Sequence, residues 1–88
     1  MLNKNEKKLC KEENFIILTE KEIQLLELFL KNKKSISKDY ILSSVWNYSA
    51  NVDTHTVETH IYRLRKKIDD KFNDQSFILS DKSGYFID

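Results

Sequence analysis

Residues 53–68 read DTHTVETHIYRLRKKI. At about 100° per residue, the step of a 3.6-residue turn, Val57, Ile61, Leu64 and Ile68 fall within roughly 60° of one another. That spacing predicts an amphipathic helix, capped by Asp53 or Thr54 and running to about Ile68. Its opposite face carries His55, Thr59, Tyr62, Arg63 and Lys66. His60 and Lys67 flank one side of that face, and Arg65 with Glu58 the other.

Metal binding and catalysis fit this face poorly. Two histidines that share a metal ion on one helix stand four apart, so that their nitrogens converge. His55 and His60 point roughly 140° away from each other. The single cysteine, Cys10, excludes an internal disulfide and a cysteine-rich zinc site. No histidine adjoins it, and no paired carboxylates share a face with an apolar pocket. The chain is expected to be no enzyme and to hold no metal ion or cofactor.

Outward from this helix, the chain reads as one small domain. With 88 residues, 40% hydrophobic and 33% charged, it has the makings of a compact, helix-leaning core. A net charge of +1 says nothing about partners, so only the distribution of charge can. No apolar run approaches the ~18 residues of a membrane span, and the polar start MLNKNEKK lacks a signal peptide's apolar segment. A cytoplasmic location is the expectation.

Residues 1–7 are expected to form a flexible arm and residues 8–88 the folded domain. Leu9–Lys11 and Phe15–Leu18 predict a hairpin around a polar turn. In LTEKEIQLLELFLKN, Thr19 and Glu22 form a capping box, and Leu18 with Ile23 a hydrophobic staple. The helix behind them turns Ile23, Leu25, Leu26, Phe29 and Leu30 inward and ends near Asn32. Ser37 caps a second, shorter helix whose Ile41, Leu42 and Val45 face the core. After a charged connector, DDKFNDQS, the segment FILS-DKSG-YFID predicts a second hairpin around the only glycine, Gly84. Phe15, Phe29, Phe77 and Phe86 read as core, not as a stacking ladder for single-stranded RNA.

The outer face of the third helix has two readings. It can be solvated or bind a protein, as most charged helix faces do. Yet Thr59 and Tyr62 occupy its centre, where a merely soluble helix carries Glu or Lys, and Asp53 and Glu58 avoid that centre. A helix fits the major groove of DNA, where Arg and Lys meet guanine acceptors and a Thr methyl meets the thymine methyl.

LTEKEIQLLELFLKN, SKDYILSSVW, VDTHTVETHIYRLRKKI and the terminal SGYFI, in this order, resemble the C-terminal winged-helix effector domain of OmpR/PhoB-type response regulators. The resemblance implies an α+β winged helix-turn-helix: a short N-terminal hairpin, three helices and a C-terminal hairpin wing. It implies sequence-specific double-stranded DNA binding by a bacterial two-component regulator, with the third helix in the major groove and the wing in the minor groove. Carried over by position, Thr56 and His60 match backbone contacts, and Thr59, Tyr62 and Arg63 match base-facing positions. Arg65 matches a phosphate or base contact, Lys66 a backbone neighbour, and Lys82 and Ser83 the wing tip. His55 stands where many relatives place an arginine, and is near neutral at cytosolic pH unless shifted. Asp81 is expected to repel phosphate. Asn47, Tyr48, Ser49, Ala50 and Asn51 match the loop that touches RNA polymerase, whereas Trp46 is expected to pack at the end of helix two. A tandem homodimer on direct repeats and a receiver domain in cis complete what the resemblance implies, the chain then being the C-terminal part of a longer regulator. A protein-binding winged helix without DNA affinity is the alternative.

Overall fold

The computed structural model describes residues 2–32, 34–47 and 53–87. Strands β1 (Leu2–Asn3), β2 (Lys8–Lys11) and β3 (Asn14–Ile17) precede helices α1 (Glu20–Lys31), α2 (Lys38–Trp46) and α3 (Thr54–Phe72). A hairpin of β4 (Ile78–Asp81) and β5 (Gly84–Ile87) follows. Helices two and three form the helix-turn-helix and the last hairpin is the wing.

The N-terminal sheet is antiparallel in the order β1-β2-β3, with Leu2 opposite Leu9 and Leu9 opposite Ile16. Where an arm was expected over residues 1–7, Leu2–Asn3 instead adds a third strand. Asn3 Oδ1 accepts from the Glu6 N–H at 3.0 Å to shape the turn, and Lys4 pairs with Glu27 of α1 at 3.0 Å. The expected first hairpin is present, its turn tightened to Glu12-Glu13, with Glu12 at φ 57°. Strand alternation turns Ile16 inward and Phe15 and Ile17 outward. Phe15, read from sequence as core, is 44% exposed beneath the Lys8 ammonium.

Each helix starts as its sequence dictates. The Thr19 hydroxyl accepts from the Glu22 N–H at 3.2 Å, and the Glu22 carboxylate accepts from the Thr19 N–H at 2.9 Å. Ser37 Oγ and Asp53 Oδ1 cap the other two helices. In α1, Ile23, Leu25, Leu26 and Phe29 are buried, but Leu30 is 57% exposed and does not belong to the inward face. In α2, Ile41, Leu42 and Val45 are buried as expected. α3 runs one turn past Ile68, to Phe72, and ends where Asn73 enters the left-handed region and donates to the Asp69 carbonyl at 2.8 Å.

These faces enclose one core. Val57, Ile61, Leu64 and Ile68 of α3 are 0–1% exposed and pack with Leu25, Leu26, Phe29, Ile41, Leu42 and the wing's Ile78. Phe77 is only partly buried at the core's edge, and Phe86 is half-buried. The wing is fastened to the segment between α1 and α2: Ile36 and Tyr85 exchange backbone hydrogen bonds of 2.8 and 3.0 Å. Gly84, at φ 148°, lets the backbones meet, since a Cβ there would lie 1.9 Å from the Ile36 carbonyl oxygen.

Candidate nucleic-acid interface

Burial of the four-residue stripe fixes what α3 shows to solvent. His55, Thr59, Tyr62, Arg63 and Lys66 are all exposed, Tyr62 by 68%. Neither Arg63 nor Lys66 forms an ion pair with a described residue. Thr56 is half-buried and its N–H donates to the Asp53 carbonyl in the first turn. Lys82 and Ser83 form the exposed tip of the wing, between paired Asp81 and Gly84.

Glu58, the acidic neighbour of this ridge, is neutralised. Its carboxylate pairs with Lys38 Nζ at 3.2 Å and with His55 Nδ1 at 2.8 Å. The hydrogen bond and the charge of Glu58 raise the pKa of His55 above its ordinary 6.5, with Asp53 adding to the effect. His55 therefore stays protonated to higher pH than a free histidine. Glu58 is correspondingly shifted down by His55 and then Lys38.

His60 behaves oppositely. Its ring meets Trp46 edge-on, with centroids 5.0 Å apart and planes at 72°. Burial and then the nearby Arg63 charge lower its pKa. Trp46 is partly buried against the core, as expected, with Lys21 Nζ 5.6 Å from its ring. Thus the two histidines have separate partners, His55 with Glu58 and His60 with Trp46.

Two residues have roles that their linear positions did not reveal. Arg65 Nε donates to the Ile78 carbonyl at 2.9 Å, and its guanidinium lies 5.6 Å from the Tyr85 ring, so it ties α3 to the wing. Lys38, at the start of α2, lines the notch between α3 and the wing together with Arg65 and Lys82. Periodicity assigned Lys38 only to a helix start; the packing of α2 on α3 brings it to the interface. The Asp81 carboxylate, although exposed, is engaged by its own turn and by Ser35. Its Oδ1 accepts from Ser35 Oγ at 2.7 Å, Ser83 N at 2.8 Å and Gly84 N at 3.0 Å. The Ser35 bond leads in holding its pKa low, so the carboxylate is an ionised brace for the turn. In the loop between α2 and α3, Asn47 ends α2 in the left-handed region, at φ 56°. Tyr48, Ser49, Ala50 and Asn51 lie outside the described residues.

A solvent-facing third helix, braced by a helix pair and flanked by a C-terminal hairpin, defines a winged helix-turn-helix protein. Residues 11–87 match the family described as "Transcriptional regulatory protein, C terminal", and the chain belongs to this OmpR/PhoB-type family, one of transcription regulators and not of enzymes. It is 39% identical over 85 residues to the probable transcriptional regulator ycf27 of Galdieria sulphuraria, covering 92% of this chain and 33% of that protein. The chain thus spans about a third of the length of the curated relatives it matches. The DNA-binding domain of Bacillus subtilis CssR superposes with a TM-score of 0.81 at 26% identity, covering 100% of this chain and 98% of that one. The C-terminal domain of the nisin resistance regulator NsrR, a lantibiotic response regulator, gives 0.78 at 26% identity over 99% of this chain and 88% of that one.

Proposed function

We propose that this chain is the sequence-specific DNA-binding effector domain of a response regulator. α3 enters the major groove and the wing the adjacent minor groove of a duplex. The observation that carries the proposal is the ridge Thr59-Tyr62-Arg63-Lys66, exposed opposite a fully buried stripe, its neighbouring carboxylate already paired. Thr59, Tyr62 and Arg63 face bases; Thr56, His60 and Lys66 contact the backbone, and His55 adds a cation. Arg65 positions the wing whose Lys82 and Ser83 reach the second groove. The family membership and the CssR domain, which is named for DNA binding, support this reading.

The wider assembly follows the same family logic. A receiver domain in cis, a tandem homodimer on direct repeats and contact of residues 47–51 with RNA polymerase accompany a cytoplasmic regulator of this kind. No described helix is long and apolar enough to cross a membrane. Two copies on adjacent half-sites multiply the modest affinity of one through effective concentration.

Selection from a random duplex pool, followed by footprinting, tests the proposal. Enrichment of a directly repeated motif, protected over two successive half-sites, is the expected result. A pool that stays random at low salt, with a stoichiometric protein partner captured instead, supports the protein-binding alternative.

A further inference from the structure

The wing tip has a second basic neighbour, in a groove that no described α3 residue lines. This shallow groove is lined by Lys31, Lys34, Ser37, Tyr40 and Ser83, and no carboxylate of a described residue lines it. Lys31 and Lys34 are exposed, and neither makes an ion pair with a described residue. This groove and the notch of Lys38, Arg65 and Lys82 share Ser83 of the wing turn in their linings.

The connection between α1 and α2 cannot move independently of the wing. The Ile36–Tyr85 backbone pair, the Ser35–Asp81 hydrogen bond and the contact of Gly84 with the Ile36 backbone fasten the two together. Lys34 immediately precedes this fastened segment, and Lys31 and Lys34 line the groove that Ser83 of the wing tip also lines. Asp81 Oδ1, at the base of the wing turn, is engaged by Ser35 Oγ and the turn N–H groups.

From this geometry we infer that the wing and the α1–α2 connection form one phosphate-binding unit. Lys34 and Lys31 contact the backbone of the same duplex, outside the groove entered by Lys82. The inference rests on the DNA-binding reading and extends the footprint beyond α3 and the wing tip. Each phosphate neutralised releases counterions, steepening the dependence of log K on log salt by about 0.9 per contact.

The test measures that slope for the whole chain on a duplex of arbitrary sequence. The Lys31→Gln/Lys34→Gln pair is expected to flatten it by about two units, and the Lys31→Arg/Lys34→Arg pair to keep the wild-type slope. Lys71→Gln, in the last turn of α3, is expected to leave it unchanged. A Gln pair with the wild-type slope, while Lys66→Gln still flattens it, overturns the inference and leaves the DNA-binding reading standing. Flattening by about one unit in Lys71→Gln, half that of the Gln pair, also overturns it, because net charge then accounts for the effect. Absence of any salt-dependent binding by the wild-type chain overturns the DNA-binding reading itself.

Discussion

Lys67 Nζ lies 2.8 Å from Glu22 Oε1, the same oxygen that accepts the Thr19 N–H of the α1 capping box. Lys67 also donates to the Ile17 carbonyl at 2.8 Å. One ammonium therefore joins α3, the start of α1 and the last residue of β3, and fixes the roll of the helix that carries the exposed ridge.

Removing Glu22 breaks both interactions at a buried site. Glu22→Ala is expected to cost about 2 kcal/mol, from a lost cap and an ammonium left short of a partner. Lys67→Ala should cost about 1–3 kcal/mol, because it leaves the buried Glu22 carboxylate with the Thr19 N–H alone. Urea unfolding of both variants and of the double variant measures this, with a double-variant cost below the sum of the two.

Much of this framework is legible in the chain itself. The stripe Val57-Ile61-Leu64-Ile68 fixed which face of α3 is buried, and Thr19 with Glu22 fixed where α1 begins. The extra turn of α3 was also written there, since Phe72 continues the stripe four residues beyond Ile68. Phe15 was misplaced in the core for a physical reason: FIIL is apolar on both faces of a strand, so alternation cannot say which face is covered. Leu30 was misplaced because it borders the buried stripe of α1, where the neighbouring elements cover Phe29 and Leu26 but not Leu30. The third strand, too short to show a period, and the links Lys67–Glu22, Arg65–Ile78 and Ile36–Tyr85 join distant segments and exist only once the chain is packed. At the interface, sequence named the exposed ridge but not the brace role of Arg65 or the pairing of Lys38.

Gly84→Ala should dislodge the wing. Its Cβ would meet the Ile36 carbonyl and the Ser37 Cα, at a backbone angle that L residues rarely adopt. A loss of about 2–4 kcal/mol is expected, together with faster amide exchange at Ile36 and Tyr85 than at Leu25. Unchanged protection of those two amides contradicts the proposed close approach.

The two histidines should titrate on opposite sides of 6.5. His55 is raised by Glu58, so its share of stability is present below 6.5 and disappears as pH rises through its folded value. The Glu58 share is present above 4.5 and disappears as pH falls through its lowered value. His60 is lowered by burial, so stability is lost as acidification below 6.5 forces a proton onto it. Proton NMR titration resolves both rings, and Glu58→Gln should return His55 toward its ordinary value. Wild-type DNA affinity is expected to fall as pH rises above 6.5 through the raised His55 value, and the His55→Ala affinity is expected not to.

Arg63 and Lys66 should separate by role. Arg63→Ala is expected to lose about 1–3 kcal/mol on the selected site and to relax preference at one base pair. Lys66→Ala should weaken all duplexes alike and flatten the salt slope by about one unit. Equal losses for Arg63→Ala on selected and random DNA contradict base reading by that side chain.

Backbone amide NMR during titration with the selected duplex tests the central claim most directly. The account predicts the largest shifts along residues 54–66 and at the wing turn around Lys82 and Ser83, with the outer face of the N-terminal sheet unmoved. Shifts concentrated at Phe15, Ile17 or Leu30, with the α3 ridge silent, would contradict it.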